Sequence, residues 1–156
     1  MTAGGGWNWA RQARVAAIQM LYQWEVGRLT VPEVAESFWR IAAIDGDTPT
    51  ARVRTRAEAL VAGVSAAVPA IDPIIEQASR NWRLDRLSIV DRLVLRLAVY
   101  ELLHERDTPP AVGIDEALEL ARHFSSEEAV SFVNGVLDAV AHRIERGELP
   151  LPPNPS

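Results

Sequence analysis

The sequence predicts an all-α fold of about seven helices. Turn signals cut the chain into pieces of helical length, and no apolar run alternates with period two beside a hairpin signal. With 156 residues, 48% hydrophobic and 24% charged, the chain has the composition of a globular protein able to bury a core.

The elements follow in order. A first helix runs from about Trp9 to Val26 and stops at Gly27. The second opens at Thr30-Val31-Pro32-Glu33, where Thr30 caps, Pro32 suits the first turn and Glu33 completes a capping box; it ends before Asp45-Gly46-Asp47. The third begins at Thr48-Pro49, carries Arg52, Arg54 and Arg56, and continues through Leu60 to Val68, where Pro69 should end it. Asp72-Pro73 then reads as the cap of a short fourth helix to about Arg80.

Ser88-Ile89-Val90-Asp91 caps a fifth helix to about Glu105, apolar on most of its circumference and so expected in the middle of the fold. Asp107-Thr108-Pro109-Pro110 breaks it, and a sixth helix spans about Val112 to Phe124. Ser125-Ser126-Glu127-Glu128 caps a seventh that reaches about Arg146 before Gly147. Residues 1–156 are read as one domain; if it divides, the seam lies near Val68 to Pro73, giving subdomains 7–68 and 69–147, with flexible ends 1–6 and 148–156.

Composition excludes several function classes. Without cysteine there is no disulfide scaffold, thiolate metal site or cysteine nucleophile, and a cytoplasmic location is the default. No stretch of about 18 apolar residues and no signal peptide are expected, hence no membrane association. No Gly-rich loop ends in Lys-Ser or Lys-Thr, and Ser65 lacks the surroundings of a nucleophile elbow. His104, His123 and His142 each lie near a helix end, where a cation suits the dipole. Glu101 and His104 have the Glu-x-x-His spacing of di-metal bundles, but a second such pair is missing. The chain therefore reads as a non-enzyme with no cofactor and no metal.

The net charge of −5 speaks against simple coating of nucleic acid, yet the charge is segregated. Residues 50–96 hold eight Arg against five acids, a local +3, and residues 97–156 four Arg against eleven acids, a local −7. All 16 basic residues are arginine. On the first helix, Arg11, Arg14, Ile18 and Tyr22 fall within an arc of about 80°. Guanidinium groups in line with an aromatic ring suit single-stranded RNA, the one holding phosphates and the other stacking on an unpaired base. The competing reading turns Ile18 and Tyr22 to the core and leaves the arginines solvated.

Three segments together resemble the NusB family of transcription antitermination factors. They are Ala13-Arg14-Val15-Ala16-Ala17-Ile18-Gln19-Met20-Leu21-Tyr22-Gln23-Trp24-Glu25, the run from Val90-Asp91-Arg92 to Glu101-Leu102-Leu103, and Ile114-Asp115-Glu116-Ala117-Leu118-Glu119-Leu120-Ala121 with Phe132-Val133-Asn134-Gly135-Val136-Leu137-Asp138. The resemblance covers residues 10–142 and is specific as a trio.

The resemblance implies two small packed helical bundles, no catalysis, and capture of boxA, a single-stranded element of ribosomal RNA transcripts. It implies NusE, a ribosomal small-subunit protein, as partner, with NusA, NusG and RNA polymerase in the larger complex. By position it gives Arg11, Arg14, Tyr22, Phe132 and Asn134 to RNA, and Asp91, Arg96 and Glu128 to partner binding. Other readings stand beside these: Phe132 as a core residue, Asn134-Gly135 as a close helix contact, Asp91 as a capping acid.

Where the family often carries a dense basic cluster, Trp7-Asn8-Trp9 stands here. Fewer phosphate contacts shift assembly on RNA toward the protein partner. Two further readings of function remain: a stand-alone subunit resembling the N-terminal domain of ribosomal RNA cytosine methyltransferases, and a homodimer.

Overall fold

The computed structural model describes residues 8–46, 49–79, 87–105 and 107–149, and all its regular structure among them is α-helical. Six helices follow in order: α1 (Trp9–Gly27), α2 (Val31–Ile44), α3 (Ala51–Ala78), α4 (Ile89–His104), α5 (Pro110–Phe124) and α6 (Glu127–Glu145). The expected flexible end 1–6, residues 150–156 of the expected flexible end 148–156, and the start of the third helix at Thr48 lie outside the described residues.

Most helix starts are set by a side-chain oxygen that satisfies a free amide of the first turn. Asn8 Oδ1 accepts from the Arg11 amide at 2.8 Å, Thr50 Oγ1 from Val53 at 3.2 Å, Ser88 Oγ from Asp91 at 3.1 Å and Ser126 Oγ from Ala129 at 3.2 Å. The α3 cap is therefore Thr50. At α2 the capping box is complete: Glu33 donates its amide to Thr30 Oγ1 at 3.3 Å, and Glu33 Oε1 accepts from the Thr30 amide at 2.9 Å.

The Thr30 amide and hydroxyl hold the Glu33 carboxyl below the usual glutamate range. A lowered folded value means stability that is present at neutral pH and lost as pH falls through that value. Thr30→Ala is expected to reduce stability by about 1 kcal/mol at pH 7. The deficit should narrow in acid, where the native box has also lost its carboxylate. Thermal melts of both proteins at neutral and acidic pH check this; superimposable melts at pH 7 would show that the box contributes nothing.

Three helix ends use left-handed residues, among them Gly46 (φ +83), which follows the Asp45 cap of α2. Gly147 (φ +71) closes α6 in a Schellman motif, with Gly147 donating to Ile144 O at 3.0 Å and Glu148 to Arg143 O at 2.9 Å. Leu149 beyond it is buried. At α1 the left-handed residue is Arg28 (φ 55), one position past the expected Gly27, which stays within the helix.

The largest departure from the sequence reading is α3. Pro69 was expected to end it and Asp72-Pro73 to cap a separate helix, yet both prolines lie inside one continuous helix. Without N–H groups, Pro69 and Pro73 leave the carbonyls of Ser65 and Pro69 without their helical donors. Both prolines are exposed, so these defects fall on the solvated side, while Leu60, Val64, Ile71 and Ile75 are fully buried. Among the described residues the helix count is thereby six.

The same helix holds an 18-residue window of mean hydropathy 1.5. By length and composition alone it could cross a bilayer, contrary to the expectation that no such stretch occurs. The window is rich in alanine, which raises the average without making an unbroken run of large apolar side chains.

The chain divides into two compact units, Met1–Ser65 and Ala66–Ser156, so the boundary falls within α3. In the first, α1 packs on α2, and Met20, Leu21, Val34, Leu60 and Val61 are fully buried. In the second, α4, α5 and α6 pack on one another. Seven consecutive residues of α4, Leu93 to Val99, are buried, so its whole circumference is covered, as its sequence predicts for a central helix. One of the seven is Arg96, and a buried guanidinium needs a partner. Asp72 supplies it from α3: Arg96 Nε donates to Oδ1 at 2.9 Å and Nη2 to Oδ2 at 2.8 Å.

Candidate nucleic-acid interface

In the second unit the starts of α4 and α6 form the two sides of a cleft of about 200 Å³, lined by Leu87, Ser88, Asp91, Ser126, Glu128, Ala129 and Phe132. Three residues singled out from sequence meet here: Asp91, Glu128 and Phe132. The cause is local: each helix begins at a serine cap, and the first two turns beyond each cap present these side chains. Phe132 is half-buried and Glu128 exposed. Asp91 is not the acid of a reciprocal capping box; its amide donates to Ser88, while its Oδ1 is buried and accepts no hydrogen bond among the described residues. An unmet buried oxygen costs about 1–3 kcal/mol.

Arg96 and Asn134 do not line the cleft. The Arg96 side chain is 8% exposed and its forked edge is taken by Asp72, so it ties α3 to α4. Asn134 sits two residues past Phe132 on the exposed side of α6, beside an exposed Gly135. A Cβ placed on Gly135 meets nothing within 4 Å, which rules out close packing as the reason for this glycine. A mid-helix glycine with open space around it is about 1 kcal/mol less favourable than alanine. Gly135→Ala should therefore raise stability by up to about 1 kcal/mol; a loss instead would mean that the backbone there is strained. A melting curve decides between them.

In the first unit, α1 buries Ala13, Ala16, Ala17, Ile18, Met20 and Leu21. The arc of Arg11, Arg14, Ile18 and Tyr22 straddles the edge of this face. Ile18 is 2% exposed and belongs to the core, whereas Tyr22 is 43% exposed and presents its ring to solvent. Arg11 and Arg14 are half-buried. Of the two sequence readings, the core one holds for Ile18 and the exposed one for Tyr22.

Among the tryptophans in the described residues, Trp39 serves packing. Trp39 is buried, donates Nε1 to Glu58 at 2.8 Å and meets Phe38 edge-on at 4.8 Å. Arg52 lies over the Trp9 ring at 3.8 Å. Trp7 and Trp82 lie outside the described residues. Among the histidines, His104 stacks on Tyr100 at 4.3 Å, His123 meets Phe124 edge-on, and His142 lies 3.7 Å from Asp138. Glu119 pairs with Arg122 at 2.8 Å. Among the described residues no group of three His, Cys, Asp or Glu side chains is placed to hold a metal.

Sequence reasoning missed Asp72 as the partner of Arg96, because Asp-Pro is also a helix-start signal. It missed the cleft as a unit, because Ser88 and Ser126 were read only as caps.

The NusB family model matches residues 11–142. The chain belongs to the NusB family. The NusB transcription antitermination protein of Sorangium cellulosum is 44% identical over 133 residues, 85% of this chain and 91% of that protein. NusB from T. maritima superposes with a TM-score of 0.76 at 35% identity, covering 90% of this chain and 97% of that one. A crystal structure of the antitermination factors NusB and NusE in complex with double-stranded RNA has a chain that matches with a TM-score of 0.73 at 28% identity, over 86% of this chain and 96% of that one. This NusB-family protein is a transcription antitermination factor, an RNA-binding regulator.

Proposed function

We propose that this NusB-family protein binds boxA single-stranded RNA of ribosomal RNA transcripts jointly with NusE, and enters an antitermination complex with NusA, NusG and RNA polymerase. The observation that carries this reading is the cleft where Phe132 stands beside Asp91 and Glu128 at the starts of α4 and α6. An aromatic ring at such a rim suits an unpaired base, and the two carboxylates suit donor groups of a partner protein. The likeness to a NusB found with NusE and RNA supports it.

Within this reading, Phe132 on α6 and Arg11, Arg14 and Tyr22 on α1 contact RNA, and Asn134, on another side of α6 outside the cleft, contacts the strand away from Phe132. Asp91 and Glu128 face NusE. Arg96 acts on the partner surface indirectly, by fixing α4 against α3.

The experiment is a titration of labelled boxA RNA with the protein alone and with purified NusE, at two salt concentrations. Tighter, sequence-dependent binding in the presence of NusE is the expected result. Absence of binding under both conditions would remove boxA capture.

A further inference from the structure

α2, α4 and α6 open with carboxylates, Glu33, Asp91, and Glu127 with Glu128, as the helix dipole favours. α3 opens on Arg52, Arg54 and Arg56 with no acid in its first turn. Arg52 and Arg54 sit in the first turn, at the positive end of the helix, where cations are unfavourable by themselves. Arg54 stands 4.0 Å from Glu58 and 5.3 Å from the Trp39 ring centre.

Arg52 and Arg56 share a side of the helix different from that of Arg54. Four residues apart, they stand about 6 Å from one another along the axis, on one side of α3. Arg52 lies over the Trp9 indole at the start of α1. Next to them run Ala51, Thr55 and Ala59, also four apart, so small side chains floor a shallow groove of about 440 Å³ walled by Trp9 and the two arginines. All six residues belong to the first unit.

We propose that this groove is a second contact for single-stranded RNA, taking a nucleotide outside the boxA element, with its base against Trp9 and the small-residue floor and its phosphate on Arg52 and Arg56. The proposal rests on boxA capture. An aromatic wall beside a cationic row is the chemistry of strand-tracking proteins, tolerant of sequence because every base has a flat face. An acidic peptide would satisfy the arginines but leave the indole and the flat floor without a matching surface. The positive end of α3 adds attraction for a phosphate.

The test compares boxA RNA with the same element carrying oligouridine extensions at both ends, each in complex with NusE. In the native protein the extensions are expected to tighten binding about ten-fold. Trp9→Ala should remove that gain, and the double change Arg52→Gln with Arg56→Gln should remove it too. The double change should also lower the salt slope by about 0.7 per arginine. Affinity for boxA alone stays unchanged in both variants.

A photoreactive 4-thiouridine in the extensions should crosslink, in the native protein, to peptides carrying Trp9 or residues 51–59, which decides the matter even where a variant folds poorly. Extensions that give no gain, or a gain that survives both variants with crosslinks elsewhere, overturn the groove and leave boxA capture standing. Variants that weaken NusE binding with RNA affinity intact overturn it in favour of a protein contact. A native protein that binds no boxA RNA, with or without NusE, sinks the parent reading and this one together.

Discussion

Asp72→Ala is expected to lower stability by about 3 kcal/mol and the melting temperature by about 6–12 °C. The reason is asymmetric. The Arg96 side chain is 8% exposed and that of Asp72 is 21% exposed, so removing the carboxylate leaves a desolvated guanidinium without its forked acceptor. The pair itself is not the source of that figure. Replacing both partners by apolar residues, Asp72→Leu with Arg96→Met, should recover most of the loss, because the desolvation of both charges is removed with their attraction. A double-mutant cycle by thermal denaturation separates the two contributions. A single variant that melts with the native protein would mean that Arg96 finds equivalent acceptors without Asp72.

The second large effect is on RNA. Phe132→Ala is expected to weaken boxA binding in the presence of NusE by about ten-fold or more, the range found when an aromatic that stacks on a base is removed. Phe132 is half-buried, so truncation also costs about 1–2 kcal/mol of packing. Phe132→Leu distinguishes the two roles: it keeps apolar contact in the cleft and removes the flat ring. Loss of RNA affinity in both variants with melting temperature retained by Phe132→Leu assigns the ring to the strand. Undiminished affinity in Phe132→Leu returns Phe132 to the core reading, and a fall in NusE binding instead would move it to the protein surface.

Phe132 and Asn134 show how far the sequence reached in the candidate site. They are two residues apart on α6, and two residues turn a helix through about 200°, so they cannot share one face. The structure accordingly lines the cleft with Phe132 and leaves Asn134 outside it. A resemblance names both, whereas helix geometry separates them. Arg96 teaches the same lesson: its position within the central α4 run matches the family, yet its guanidinium turns inward to Asp72.

The all-α class, the starts of α2, α4 and α6 and the central place of α4 were determined by sequence alone. Each rests on information within one helical turn or one helical period: a serine or threonine three residues before the amide it caps, or apolar residues all round a helix. Only the tertiary structure decided that α3 continues through Pro69 and Pro73, that Asp72 pairs with Arg96 rather than capping a helix, and that Asp91, Glu128 and Phe132 meet. Those outcomes turn on burial of Ile71 and Ile75, on a pair 24 residues apart, and on the packing of α4 against α6. Local signals at a proline favour a helix end by a few kcal/mol, and burying the apolar side of a long helix outweighs them.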